Sequence, residues 1–208
     1  DQYVFFAMQF SEKVTSAAFF FNDQIENERT VNEGKNIKCG FRFADGSRDI
    51  IVKVALSPVS EEGALNNLRQ EAQYFDFNRI RRSAEIAWED ELNKIEVNAS
   101  DKNKMAIFYT ALYHTAIVPN INMDIDGQYR GRDNKIHKAE GFTYYSVFSL
   151  WDTYRAAHPL YTIIDQKRNL DYIKTFLVQY QQGGQLPIWE LSSNETDCMI
   201  GNHSIPVI

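Results

Sequence analysis

The sequence predicts a multidomain α and β chain, with strands first, then a helical linker, then a mostly helical part. Three observations carry this expectation. Near the start, Ile37, Cys39, Phe41 and Phe43 alternate with polar or small residues, as one buried strand face requires. Composition then shifts at Ser57-Pro58, and Leu65, Leu68, Ala72 and Phe75 follow at helical spacing. Helical spacing returns beyond Ser100, at Met105, Phe108, Leu112 and Ala116, and again at Leu170, Ile173, Phe176, Leu177 and Tyr180.

Taken in order, residues 2–10 are rich in Phe, Tyr and Val and predict a strand. Residues 23–36 are polar and predict a loop. The strand over Ile37–Phe43 and a second over Asp49–Leu56 flank an Asp45-Gly46 turn signal, so the two are expected to form a hairpin. Glu61 and Glu62 favour a helix start, because carboxylates there complement the helix dipole. Ser100 or Asp101 can cap the helix that follows the linker, and Pro119 ends it. Residues 120–144 predict irregular or hairpin structure with an Asp126-Gly127 turn. A helix is expected over Phe148–Arg155, with a break near Pro159, and Gly183-Gly184 stops the amphipathic helix that carries Leu170 to Tyr180. A loop over 185–197 leads to a new element, a possible helix, from Cys198. The expected parts are 1–57, the linker 58–98, and 99–208.

Composition narrows the function. The net charge is −6, and no basic block exists beyond Arg79, Arg81 and Arg82, which argues against a nucleic-acid partner. The two cysteines, Cys39 and Cys198, do not support a disulfide framework or a structural zinc site. No apolar run is long enough to span a membrane, and the first residues lack the pattern of a signal peptide. The chain lacks an initiator Met and begins in a predicted strand, so it is expected to be a piece of a longer protein. Aromatics make up 13% of the residues, which suits both a large core and stacking on sugar rings.

Two aromatic–acid pairs stand out. Trp189-Glu190 lies in the loop Gly183–Leu191, stiffened by Pro187. An apolar neighbour such as Trp189 desolvates a carboxylate and raises its pKa, as a glycosidase acid requires. Spacing alone favours a surface Glu190. Trp151-Asp152 combines a ring that can stack on a sugar with a carboxylate that can accept from two hydroxyls; a core Trp beside a capping Asp fits the same pattern. Asn122, Asp124, Asp126 and Gly127 with Asp133 have the alternation of a calcium loop but lack its final Glu, which favours a polar turn. His114, His137, His158 and His203 show no metal-ligand spacing; His203 stands apart because it follows the Glu190 loop.

In combination these stretches resemble glycoside hydrolase family 92, the calcium-dependent exo-α-mannosidases. The matching segments are Phe108–His114, Asp126-Gly127-Gln128-Tyr129-Arg130-Gly131, Phe148–Leu160, Gly184–Leu191 and Met199–Ser204. The resemblance implies the end of an N-terminal β-sandwich over 1–57, a helical linker, and the start of a truncated (α/α)6 barrel over 99–208. It implies hydrolysis of terminal α-mannosides, α-1,2 links above all, with inversion. Inversion needs an acid and a base roughly 6.5–9.5 Å apart. The family resemblance puts the acid on Glu190 and the base on an aspartate beyond the end of this chain. Trp151, Asp152, Trp189 and His203 are the candidate sugar contacts. Ca2+ is the implied cofactor, with ligands unassigned, and mannose-containing glycans are the implied partners. The resemblance further implies a bacterial periplasm or cell surface. Alternatives are a non-catalytic carbohydrate-binding protein or another (α/α)6 glycosidase. Cut short, the apolar faces of 105–116 and 170–180 would be exposed, and the isolated chain is expected to be loosely folded and inactive.

Overall fold

The computed structural model describes residues 2–25, 33–44, 46 and 49–208. Its first part is built of β1 (Phe5–Phe10), β2 (Ser16–Phe21), β3 (Gln24–Ile25), β4 (Ile37–Arg42) and β5 (Val52–Ser57). Strand β5 pairs antiparallel with β1, and β4 with β2, so the expected hairpin of β4 and β5 does not form. The registers give a physical reason. Pairing β1 with β5 sets Phe6 opposite Leu56, Met8 opposite Val54 and Phe10 opposite Val52, an apolar row on one face. The opposite face, with Ala7 against Ala55, lies on the first helix. Phe6, Met8, Val52, Val54 and Leu56 remain exposed. The central turn positions of the expected hairpin, 45 and 47–48, lie outside the described residues, as does much of the predicted loop at 26–32. Strand β2, an unbroken apolar run, was hidden from an alternation rule.

Helices α1 (Glu61–Glu71) and α2 (Phe77–Leu92) follow, where the spacing predicts helix. The Ser60 hydroxyl accepts from the Gly63 amide and starts α1; Asp76 does the same for α2 through Arg79. A buried polar clamp ties α1 to the next part. The carboxylate of Asp124, 2% exposed, accepts from Ser57 Oγ at 2.7 Å and from Asn67 Nδ2 at 2.8 Å. Asn67 Oδ1 in turn accepts from the Ile125 amide at 2.9 Å. Thus Asp124 serves a fold contact, and the 122–127 stretch closes as a turn in which the Gly127 amide donates to the Asp124 carbonyl.

Gly63 is required by this clamp. A Cβ there would lie 2.2 Å from Asp124 Oδ2 and 2.7 Å from Ser57 Oγ. Helix propensity would favour alanine by about 1 kcal/mol, but overpacking and the lost hydrogen bonds to a buried charge cost more. Gly63→Ala should therefore lower stability by about 2 kcal/mol. Urea unfolding would show this as a lower midpoint at unchanged slope; a raised midpoint would refute the clamp.

The second part begins with α3 (Lys102–Thr115), capped by Asp101, whose carboxylate accepts from the Asn103 and Lys104 amides. Short pairs follow: β6 (Asn120–Ile121) with β9 (Tyr145–Ser146), and β7 (Gln128–Arg130) with β8 (Ile136–Lys138). Then come β10 (Phe148–Ser149), α4 (Leu150–Thr153), α5 (Ala157–Ile164), α6 (Gln166–Gly183), β11 (Trp189–Leu191) and β12 (Asn194–Glu195). The helix expected over 148–155 is thus a short strand and one helical turn. Pro159 sits in the first turn of α5, where no intrahelical donor is needed. Gly184, with φ of 75°, ends α6. Beyond Cys198 the chain makes turns, not a helix.

Tyr145, Phe148, Leu150, Tyr161, Tyr172 and Phe176 form the core, largely through edge-to-face ring contacts. The buried face of α6 is Asn169, Tyr172, Thr175, Phe176 and Gln179; Leu170, Leu177 and Tyr180 point outward. The polar members are admitted because two of them hydrogen-bond inward. Thr175 Oγ1 accepts from the Tyr145 amide, and Gln179 Nε2 donates to the Tyr144 hydroxyl. On α3, Ile107 and Tyr113 are exposed, while Leu112 of the expected apolar face is buried. A bidentate pair joins the linker to α6: Arg168 donates to both Glu91 oxygens at 2.9 and 2.7 Å. Partial burial works to raise the Glu91 carboxyl, but Arg168 and Lys94 hold it below its ordinary value.

Candidate active site

The predicted site residues converge on the small sheet β10–β11–β12. Phe148 pairs with Glu190, and Ser149 with Trp189, while Glu190 pairs with Glu195 across a tight turn. Because β10 runs directly into α4, this pairing brings Trp151-Asp152 and Trp189-Glu190 to one region. The ring of His203 packs on Tyr154 at 4.6 Å, at the end of the same helical turn. The candidates from three separate stretches therefore lie in one neighbourhood. Among the described residues the other histidines serve elsewhere: His137 accepts or donates to Asp133 at 2.9 Å, and His158 lies in the core.

Asp152 is exposed at the start of α4, and Ser149 Oγ donates to its Oδ2 at 2.5 Å. Trp151 is half-buried, with the Arg155 guanidinium 5.8 Å from its ring centre. Two Asp152 lone pairs and one ring face are what a sugar with vicinal hydroxyls would use.

Glu190 differs. Its side chain has no exposure at all. Ser146 Oγ donates to Oε1 at 2.9 Å, the Ser193 amide to Oε1 at 2.5 Å, and the Val147 amide to Oε2 at 3.0 Å. Burial pushes its pKa up to about 7, while these three donors, and Arg132 at longer range, pull it down. The expected surface alternative is thereby overturned, because the strand pairing puts the side chain inside the sheet. The raised pKa matches the expectation for an acid; the enclosure leaves the carboxyl no open path to a substrate oxygen in this conformation.

Several partners were not predicted. Ser193 Oγ bonds to the Tyr144 hydroxyl at 3.0 Å and accepts from Asn122 Nδ2 at 3.2 Å. Glu195 accepts from the Ile188 and Trp189 amides at 2.8 and 3.0 Å, which fixes the loop before Glu190. The signal for the turn was present in Ser192-Ser193-Asn194, a run of turn-forming residues. Nothing local to Glu190 marks Ser146 or Tyr144. Beside this turn lies a cleft of about 360 Å³ lined by Tyr3, Asn122, Arg130, Arg132, Ser192 and Asn194.

Residues 63–208 match the model of the glycosyl hydrolase family 92 catalytic domain. The chain belongs to glycosyl hydrolase family 92. Among solved structures it is similar to the family 92 alpha-mannosidase BT3965 from Bacteroides thetaiotaomicron, at 39% identity and a TM-score of 0.86. That match covers 98% of this chain and 29% of the other, and BT3965 has also been solved with mannoimidazole. The inverting mannosidase BT2199 of the same organism is similar at 25% identity and a TM-score of 0.86, covering 98% and 28%. No curated protein matches significantly. The chain thus spans less than a third of the length of these solved family 92 structures.

Among the described residues, no three His, Cys, Asp or Glu side chains converge to hold a metal ion. Asp124 is committed to Ser57 and Asn67, and Asp133 to His137. The described residues therefore do not fit a carboxylate-built calcium site.

Proposed function

We propose that the gene product containing this chain hydrolyses terminal α-mannosides, α-1,2 links foremost, with inversion. One observation carries this: 39% identity along 98% of the chain to a protein described as an alpha-mannosidase. The exposed Asp152 beside Trp151 supports it, because that pair offers a hydrogen-bonding carboxylate and a stacking face to one sugar. Trp189 and His203 border the same region and are the further contacts of this reading. Mannose-containing glycans are then the substrates. The last strands of a β-sandwich over 1–57, the linker 58–98, and the start of an (α/α)6 barrel over 99–208 are its architecture. The exposed apolar row on β1 and β5 supports the sandwich, since such a face needs a second sheet against it. A calcium requirement and export to the periplasm or cell surface belong to the same proposal.

For Glu190, a pKa of about 7 suits a proton donor, but that role would need the Ser192–Ser193 turn to open, and the fully enclosed carboxyl speaks against it.

The test is mannose release from α-1,2-mannobiose by the full gene product, with calcium and with a chelator. Release that stops on chelation and resumes with calcium is expected. A protein that binds mannosides and releases none would instead be a carbohydrate-binding module.

A further inference from the structure

Three non-glycine residues near Glu190 have left-handed backbone: Val147 at φ 72°, Ser192 at 50° and Ser193 at 64°. Such conformations cost on the order of 1–3 kcal/mol each and persist only where surroundings hold them; for β-branched valine the cost is greatest. All three amides answer to one carboxylate. Val147 and Ser193 donate to Glu190 directly. Ser192 donates at 2.7 Å to Ser146 Oγ, which itself donates to Glu190.

The held kink at Val147 leads straight into Trp151-Asp152. Phe148 and Ser149 form β10 against β11, the Leu150 amide donates to the Ile188 carbonyl at 3.2 Å, and Ser149 Oγ donates to Asp152. Four residues separate the strained valine from the carboxylate proposed to meet the sugar, and the first three are tied to the Glu190 strand or to the residues just before it.

We infer that Glu190 is a positioning residue: its buried carboxylate holds Val147 in a left-handed kink that aims Trp151 and Asp152 at the sugar. This rests on the reading of Trp151 and Asp152 as sugar contacts. Glu190 acts through backbone amides and touches no substrate. The geometry explains why a buried carboxyl is placed here: one oxygen accepts from the Val147 amide, and the other accepts from the Ser193 amide and Ser146 Oγ. Glutamine at this position offers a single acceptor oxygen, so it cannot hold Val147 and Ser193 together.

Two readouts test this in the full gene product, comparing wild type with Glu190→Gln and Ser146→Ala. The first is amide exchange. Both variants should exchange faster at Val147 and across 148–152, by about tenfold or more; unchanged exchange there overturns the inference whatever the protein's activity. The second is kinetic. Positioning predicts weaker mannoimidazole binding and raised KM, by the same factor on α-1,2-mannobiose and on an aryl mannoside with a good leaving group. Aspartate at 190, with both oxygens, should recover part of the loss. Normal activity of Glu190→Gln on the aryl mannoside alone, with kcat lost on the disaccharide, would make Glu190 the proton donor and overturn the inference. If wild type neither binds mannoimidazole nor releases mannose, the functional reading fails, and the exchange result still decides the kink. Ser146→Ala keeps the carboxylate, so it carries both readouts if the glutamine variant lacks a cooperative melt.

Discussion

Asp152→Ala should reduce kcat/KM on α-mannosides by on the order of 10²- to 10⁴-fold, with little change in melting temperature. The magnitude follows from the chemistry proposed for it. Hydrogen bonds to a charged group contribute about 1.5–3 kcal/mol each, and a sugar diol makes two. The small effect on stability follows from position. Asp152 is exposed, and its one hydrogen bond is to Ser149, three residues away at the same helical turn. Steady-state kinetics beside a melting curve checks both halves. A loss of only a few-fold would remove Asp152 from the sugar site.

The second large effect is on stability against pH, where two buried groups pull in opposite directions. Glu190 has its pKa raised from 4.5 to about 7 by burial. Its contribution is fully present below the unfolded value near 4.5 and is lost as pH rises through about 7. His158, enclosed by Tyr161, Tyr172 and Phe176, has its pKa lowered from 6.5 to about 4 by burial, with Asn169 pulling weakly the other way. Among the described residues, neither of its ring nitrogens finds a hydrogen-bond partner within normal distance. Its contribution is present above 6.5 and lost as pH falls toward 4. Each shift corresponds to about 3 kcal/mol at its full extent.

Between about pH 4.5 and 6.5 the two slopes cancel, so wild-type stability should be nearly flat there. Glu190→Gln should uncover the His158 slope, with stability falling on acidification. His158→Phe should uncover the Glu190 slope, with stability falling as pH rises. The phenylalanine variant should also be more stable than wild type near pH 5, because it replaces an unpaired buried imidazole by a ring suited to its aromatic surroundings. Unfolding in urea across this range checks the account; parallel profiles for all three proteins would contradict it.

Local signals in the sequence gave most elements and little of their pairing. The caps at Asp101 and around Glu61, the stop at Gly184, and the helices of the linker all depend on residues within one or two turns, so they could be seen directly. The partner of β5 could not. An Asp-Gly turn beside it argued for β4, but the apolar row that favours β1 lies some 40 residues earlier, about the separation of Phe10 and Val52. For α6, periodicity gave the helix and misplaced its buried face, because Thr175 and Gln179 turn inward for hydrogen bonds that no hydrophobic pattern registers.

The site shows the same division. Trp151, Asp152, Trp189, Glu190 and His203 were all visible as residues, and the fold brings them to one region. The enclosure of Glu190 was not visible, since it depends on Ser146 from 44 positions earlier. A carboxylate beside a tryptophan can be an exposed acid or a buried clamp, and only the strand pairing separates the two.

The gene product is proposed to be an inverting α-mannosidase. Proton NMR of α-1,2-mannobiose digestion tests it most directly, by observing which anomer of mannose accumulates first. The account predicts β-mannose at early times, followed by slow mutarotation to the equilibrium mixture. Early accumulation of α-mannose, or a disaccharide that persists unchanged in the presence of calcium, would contradict it.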